Sequence, residues 1–220
     1  MTSASVSIVC RGFVSTRHLK PSNLKPPQAG RFFIGAVGSS QIDLGNPSGF
    51  SFTNNTFSIA FWFKANPNTS YRGFFLAKYG PGNYEYAVFN DSANHVRFEA
   101  WDNSGNSLVG VSTINTWYDN NWHNAVVVGD GSKAYIYVDG AENTGGGVNF
   151  SGYMQHGGTD LLMGKASNLT PGYTGCLDDV AVFSRALTPT EIYNLYNGPA
   201  VNSLQDLAYV YDADGNITQI

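Results

Sequence analysis

Apolar and polar residues alternate along most of the chain from residue 32 onward, the period of a strand with one buried face. The clearest run is 57–63, where Phe57, Ile59, Phe61 and Phe63 fall on one side. Runs at 74–78, 84–89, 96–101, 108–112, 122–128, 133–138, 161–165 and 177–183 predict further short strands. The separators are turn formers, such as Gly80-Pro81-Gly82-Asn83 and Asp102-Asn103-Ser104-Gly105-Asn106. Asp130-Gly131 lies between two apolar runs and predicts a hairpin joining 126–128 to 135–138. One segment changes period. Thr188, Pro189 and Glu191 form a capping box with proline at the first helical position, and Ile192, Leu195 and Tyr196 follow at helical spacing. Gly198-Pro199 closes that helix. Residues 207–211 and 217–220 flank a turn at 212–216 and read as a small terminal hairpin.

Together these elements predict an all-β fold: a two-sheet antiparallel sandwich with one short helix on its C-terminal side. Composition agrees. The 220 residues suit one sandwich, and 42% apolar content is ordinary for a globular core. Only 13% of residues are charged, while Gly, Asn, Phe and Tyr are abundant, as short aromatic strands joined by many turns require.

Charge divides the chain. Residues 1–31 carry Arg11, Arg17, Lys20, Lys25 and Arg31 and no acid, whereas the rest carries all 16 acids against seven bases. Pro21, Pro26 and Pro27 favour an extended N-terminal arm, and its five bases are candidate docking residues for an acidic partner surface. They are too few and too scattered for a specific nucleic-acid site. Cys10 and Cys176 give no disulfide framework. No run of 18 apolar residues is present, so no membrane insertion is expected. The first residues lack a charged leader before an apolar run and do not read as a secretory signal.

Three segments carry a family likeness. The first is Phe57-Ser58-Ile59-Ala60-Phe61-Trp62-Phe63-Lys64. The second is Trp122-His123-Asn124-Ala125-Val126, followed by Tyr135-Ile136-Tyr137-Val138-Asp139-Gly140. The third runs from Gly175 through Asp178-Asp179-Val180 and Ser184-Arg185-Ala186-Leu187-Thr188-Pro189 to Ile192. In this order they resemble the laminin-G-like, concanavalin A-like lectin-glucanase jelly-roll superfamily. The likeness covers residues 32–198 and leaves a 1–31 arm and a 199–220 extension outside it. It implies a jelly-roll sandwich that works by contact.

The glucanases of that superfamily need two carboxylates flanking the scissile bond, in a Glu-x-Asp-x-x-Glu run or a close variant. No such run occurs; Glu85, Glu99, Glu142 and Glu191 stand apart, so a glycoside hydrolase is not expected. The resemblance allows a structural calcium, with Asp178 as candidate ligand, although no cofactor is required. Alternation puts Asp178 on the face of Val180 and Val182, where it either ligates calcium or accepts backbone amides. Sugar binding needs aromatic platforms beside polar groups. Candidates are Trp117, Tyr118 and Asp119, with Tyr153, Tyr173 and the loop at Trp101-Asp102-Asn103; the competing reading packs these rings on the sandwich rim. The expected function is therefore non-catalytic binding or structure. One form is a virion surface subunit, in capsid decoration or an appendage, whose partners are other virion proteins, copies of itself or surface glycans. The alternative is a secreted carbohydrate-binding or adhesion module.

Overall fold

A computed structural model describes residues 42–46, 48–65, 73–80, 82–166, 173 and 175–198, together with the backbone of four short strands at 5–7, 32–34, 210–211 and 217–219. The bases proposed for docking, Arg11, Arg17, Lys20, Lys25 and Arg31, lie outside the described residues. In chain order the strands are β1 (Ser5–Ser7), β2 (Phe32–Ile34), β3 (Ile42–Asp43), β4 (Thr56–Ala65), β5 (Phe74–Gly80), β6 (Asn83–Asn90), β7 (Val96–Trp101) and β8 (Ser107–Ser112). Then follow β9 (Trp122–Asp130), β10 (Lys133–Val138), β11 (Ala141–Glu142), β12 (Val148–Asn149), β13 (Leu162–Met163), β14 (Gly175–Phe183), helix α1 (Pro189–Asn197), β15 (Val210–Tyr211) and β16 (Ile217–Gln219).

Two antiparallel sheets face each other. The first, sheet A, runs β1-β14-β4-β9-β10-β11, with β2 also on β14 and β12 also on β10. The second, sheet B, runs β3-β13-β5-β6-β7-β8. A separate pair joins β15 to β16. The all-β sandwich with one short helix is the architecture that the alternation predicts. The inner faces meet through Phe57, Ile59, Phe61 and Phe63 of β4, Phe75 and Leu76 of β5, Tyr86 and Val88 of β6, and Phe98 of β7, all buried. Close-packed rings such as Phe52–Phe57 at 4.6 Å and Phe61–Phe75 at 5.1 Å fill the layer between the sheets.

The Asp130-Gly131 turn forms as the sequence predicts. Asp130 Oδ1 accepts the amides of Ser132 and Lys133 at 2.8 and 2.7 Å, and β9 pairs with β10 from Ala125↔Val138 to Gly129↔Ala134. The helix also starts where its cap is written. Thr188 accepts from the Glu191 amide, and Glu191 Oε2 accepts from the Thr188 amide at 2.8 Å. The chain then lays α1 over the outer face of sheet A. Leu187 and Ile192 are buried against Ala60, Val126 and Val128, and Tyr196 stacks on Trp62 at 5.9 Å. Ser58 Oγ fixes this approach, donating to the Arg185 carbonyl at 3.0 Å and accepting from the Leu187 amide at 2.9 Å.

One face assignment differs from the alternation. Asp178 pairs with Trp62 and Ala181 with Ala60, so β14 holds one residue more than β4 over this stretch. Asp179 takes φ +49° in that bulge. The extra residue turns Asp178 to the α1 side of sheet A, whereas Val180 and Val182 face the core. Asp178 is fully buried and its Oδ1 accepts the Asp179 amide at 3.0 Å. Among the described residues no three His, Cys, Asp or Glu side chains converge as a metal-binding group.

Candidate functional site

The outer face of sheet B carries an unusual load of aromatic side chains. Register places Phe74, Ala77 and Tyr79 of β5 beside Phe89, Ala87 and Tyr84 of β6. Trp101 of β7 joins them. The alanines leave space above the sheet, and the rings lean into it. Phe89 meets Phe74 at 5.4 Å, Phe74 stacks on Tyr79 at 6.2 Å, and Tyr79 meets Tyr84 at 5.1 Å and Trp101 at 4.9 Å. This is a five-ring ladder. Its Phe74–Phe89 end is buried beside Ala166, while Tyr79, Tyr84 and Trp101 stay half-buried. Tyr84 lies over the β7–β8 turn, where Gly105 has φ +83° and a Cβ would come within 2.9 Å of the Tyr84 ring. Glycine is therefore needed there twice, for backbone angle and for space.

A polar row runs along the same face from β7 to β8. Arg97 Nε and Nη2 both reach Glu99 Oε1 at 2.6 Å, and Nη1 donates to Ser112 Oγ at 3.0 Å. Gly110 lets the guanidinium lie across β8, because a Cβ there would meet Arg97 Nη2 at 2.8 Å. Next to it Asp91 Oδ2 contacts His95 Nδ1 at 3.1 Å. Burial pushes the Asp91 carboxyl upward, but hydrogen bonds from the His95 and Ala93 amides and the His95 ring outweigh it and hold the group below its ordinary range. In the turn beside Trp101, the side chain and amide of Asn106 hold Asp102 low as well. The site thus joins apolar ring surface to ionised carboxylates and a neutralised guanidinium.

Of the aromatic residues that the sequence nominates, Trp101 joins this face and the others lie elsewhere. Trp117, Tyr118, Asp119 and Tyr173 gather near one end of the sandwich, where Trp117 packs edge-on to His123 at 5.0 Å. Tyr118 and Tyr173 are buried, and Tyr173 donates to the Lys64 carbonyl at 2.9 Å while its ring meets Phe75 at 4.7 Å. Those two rings brace the core and offer no stacking surface. Asp119 is half-exposed and accepts from Asn121 and from His123 Nε2 at 3.0 Å. The other His123 nitrogen meets Asp139 at 2.8 Å. Burial opposes protonation of His123, but the hydrogen bonds and charges of Asp139 and Asp119 prevail and raise its pKa. Tyr153 is 66% exposed and sits at the other end, next to Met154, whose amide donates to Asn55 at 3.0 Å.

That other end holds a buried ion pair. Tyr86 pairs with Lys78 and Tyr84 with Tyr79, so Glu85 is an extra residue in β6. Its carboxylate turns onto Lys78 Nζ at 3.0 Å, both side chains being almost wholly buried. Lys78 also donates to Asn46 at 2.6 Å and Ser51 at 3.0 Å, and Glu85 accepts the Gly157 amide at 2.8 Å. The cluster ties Asn46, Ser51 and Gly157 to the β5–β6 hairpin.

Residues 37–193 match a laminin G model of the concanavalin A-like lectin/glucanases superfamily. The chain belongs to that superfamily. As a curated relative, adhesion G-protein coupled receptor V1 of Danio rerio is 28% identical over 158 residues, which is 69% of this chain and 2% of the receptor. Two solved structures share the fold at low identity. The binding domain of Paraclostridial Mosquitocidal Protein 1 gives a TM-score of 0.65 at 14% identity, over 78% of this chain and 44% of that one. A botulinum neurotoxin type C structure, described by its dependence on two ganglioside molecules for cell entry, gives 0.61 at 15% identity, over 80% and 44%. This lectin-like domain therefore spans less than half the length of each of these relatives.

Within the lectin-like sandwich, Tyr79, Tyr84, Arg97 and Glu99 escape a reading that searches loops. The signal is present in β7, where Val96, Phe98 and Ala100 face the core, so Arg97, Glu99 and Trp101 must share the outer face. An indole on the polar side of a clean alternation is the feature that marks the face.

Proposed function

We propose that the protein is a non-catalytic glycan-binding module whose contact surface is the outer face of sheet B. The observation that carries this is the ladder ending in half-buried Tyr79, Tyr84 and Trp101 beside the Arg97–Glu99 pair. Sugar rings offer apolar C–H faces to aromatic side chains and hydroxyl edges to charged hydrogen-bonding groups. The superfamily membership supports the same reading. Asp91 and Asp102 on this face are held below their ordinary range, which suits them as hydrogen-bond acceptors.

The setting we propose is an outer surface, with the virion coat preferred and the secreted adhesion module as alternative. Support for the coat comes from charge: the base-only 1–31 segment of one copy complements the acidic remainder of another, or of a neighbouring coat protein. A glycan array with the wild-type protein, Trp101→Ala and Tyr79→Ala tests the site. Binding by the wild type that both variants lose supports it; undiminished binding by both variants moves the site off sheet B. Co-sedimentation with particles released by lysis supports the coat setting, and a chain found only free outside cells favours the alternative.

A further inference from the structure

We infer that the face binds uncharged glycans and rejects acidic ones, an inference that rests on the glycan-binding reading above. It follows from which polar groups the protein leaves for a ligand. Arg97 has five N–H donors, of which Glu99 takes two and Ser112 one. Two guanidinium N–H groups therefore remain. Glu99 receives both Arg97 contacts on Oε1, and Oε2 remains as an acceptor. The Trp101 indole, two residues along the same strand, is half-buried and tilts against Tyr79 in the ladder. One ring surface, spare N–H donors and a spare carboxylate oxygen match a sugar's C–H face and two neighbouring hydroxyls, one accepting and one donating.

Charge excludes the acidic alternative. Arg97 is the one permanent cation on the outer face among the described residues of β5 to β8 and their turns, and Glu99 neutralises it. Lys78, the other cation of these strands, is turned to the inner side and buried on Glu85. Asp91 and Asp102 then leave the face negative, with His95 already held by Asp91. A sialic acid carboxylate or a sulfate entering beside Trp101 meets Glu99 and Asp102, with no unpaired cation among the described residues of β5 to β8 and their turns. Like charges disfavour binding, while a neutral sugar has no such penalty.

The test compares neutral, sialylated and sulfated oligosaccharides on one array, with affinities for the best probes measured by calorimetry at low and high salt. The wild type is expected to bind neutral probes with little salt dependence. Glu99→Gln, which keeps the side-chain shape, is expected to weaken neutral binding roughly tenfold to a hundredfold, as loss of a charge-assisted hydrogen bond does. It is also expected to narrow the gap to sialylated probes, and Arg97→Lys to weaken neutral binding without changing the preference. Thermal melts of both variants report that the fold persists. A wild type that prefers sialylated or sulfated probes, with binding lost in Trp101→Ala, overturns the uncharged class and leaves the glycan site standing. A wild type that binds no probe of any class overturns both.

Discussion

The two sheets of the sandwich treat their outer faces in opposite ways. On sheet A the outer face is small and aliphatic at its centre, with Ala60, Val126 and Val128, and the chain's own helix covers it. That helix is fixed at its start by the Thr188–Glu191 capping box and by Arg185, which grips Glu191 at 2.6 and 2.9 Å. On sheet B the outer face is aromatic and ends in half-buried rings beside a row of charged groups. One face is finished by the domain itself. The other carries half-buried rings beside hydrogen-bonding groups, and it is the face proposed above for glycans. The contrast teaches that outward apolar residues have two meanings, set by the partners that flank them.

The comparison breaks most readily at its packed side. Ile192→Ala removes the fully buried anchor of α1 and is expected to cost about 2–5 kcal/mol in chemical denaturation. Glycan affinity should be unchanged at temperatures where the variant is folded. On the contact side, Trp101→Ala should do the reverse: a glycan affinity at least roughly tenfold lower, with a smaller fall in melting temperature than Ile192→Ala. If Trp101→Ala destabilises more than Ile192→Ala and binding persists, the ladder is a structural brace. Thr188→Ala is expected to cost about 1 kcal/mol through the lost cap, read in the same denaturation series.

Smaller effects come from pH. His123 holds Asp139, and the Gly140 that follows packs against Tyr193 and Tyr196 of α1. Because the folded pKa of His123 is raised, its contribution is fully present below the ordinary value of 6.5. It is lost as pH rises through the folded value. Stability should therefore decline on that rise, and His123→Gln should flatten the curve. Glu191 works from the other side. Its carboxyl is lowered from 4.5 to about 2, chiefly by Arg185, so its contribution is present above 4.5 and fades as pH falls towards 2. Solvent exposure of that pair keeps this effect the smallest of the set. Neither shift should move the glycan affinity of sheet B.

Much of this is legible in the sequence alone. The alternation at Phe57, Ile59, Phe61 and Phe63 gives the inner face of β4, and Asp130-Gly131 gives the β9–β10 hairpin. Thr188-Pro189-Thr190-Glu191 gives the start of α1. These features depend on neighbours in sequence. The candidate site was less legible. Trp117, Tyr118 and Tyr173 are aromatic residues in turn-rich segments, and nothing local reveals that Tyr118 and Tyr173 plug the core. Trp101 was visible as a loop residue, yet its partners Tyr79 and Tyr84 come from a different hairpin. One bulge misled alternation by turning Asp178 to the helix side, and another turns Glu85 onto Lys78.

The sequence by itself determined the strands, the hairpin turn, the capped helix and the identity of the core-facing residues on β4. Each follows from backbone preference and from a period of two or 3.6, which are properties of adjacent residues. Only the tertiary structure decided which outward face is covered and which rings join across three strands. It also decided where one extra residue reverses a side chain. Those outcomes depend on cross-strand register, and register is fixed by how whole sheets pack, not by any single stretch of chain.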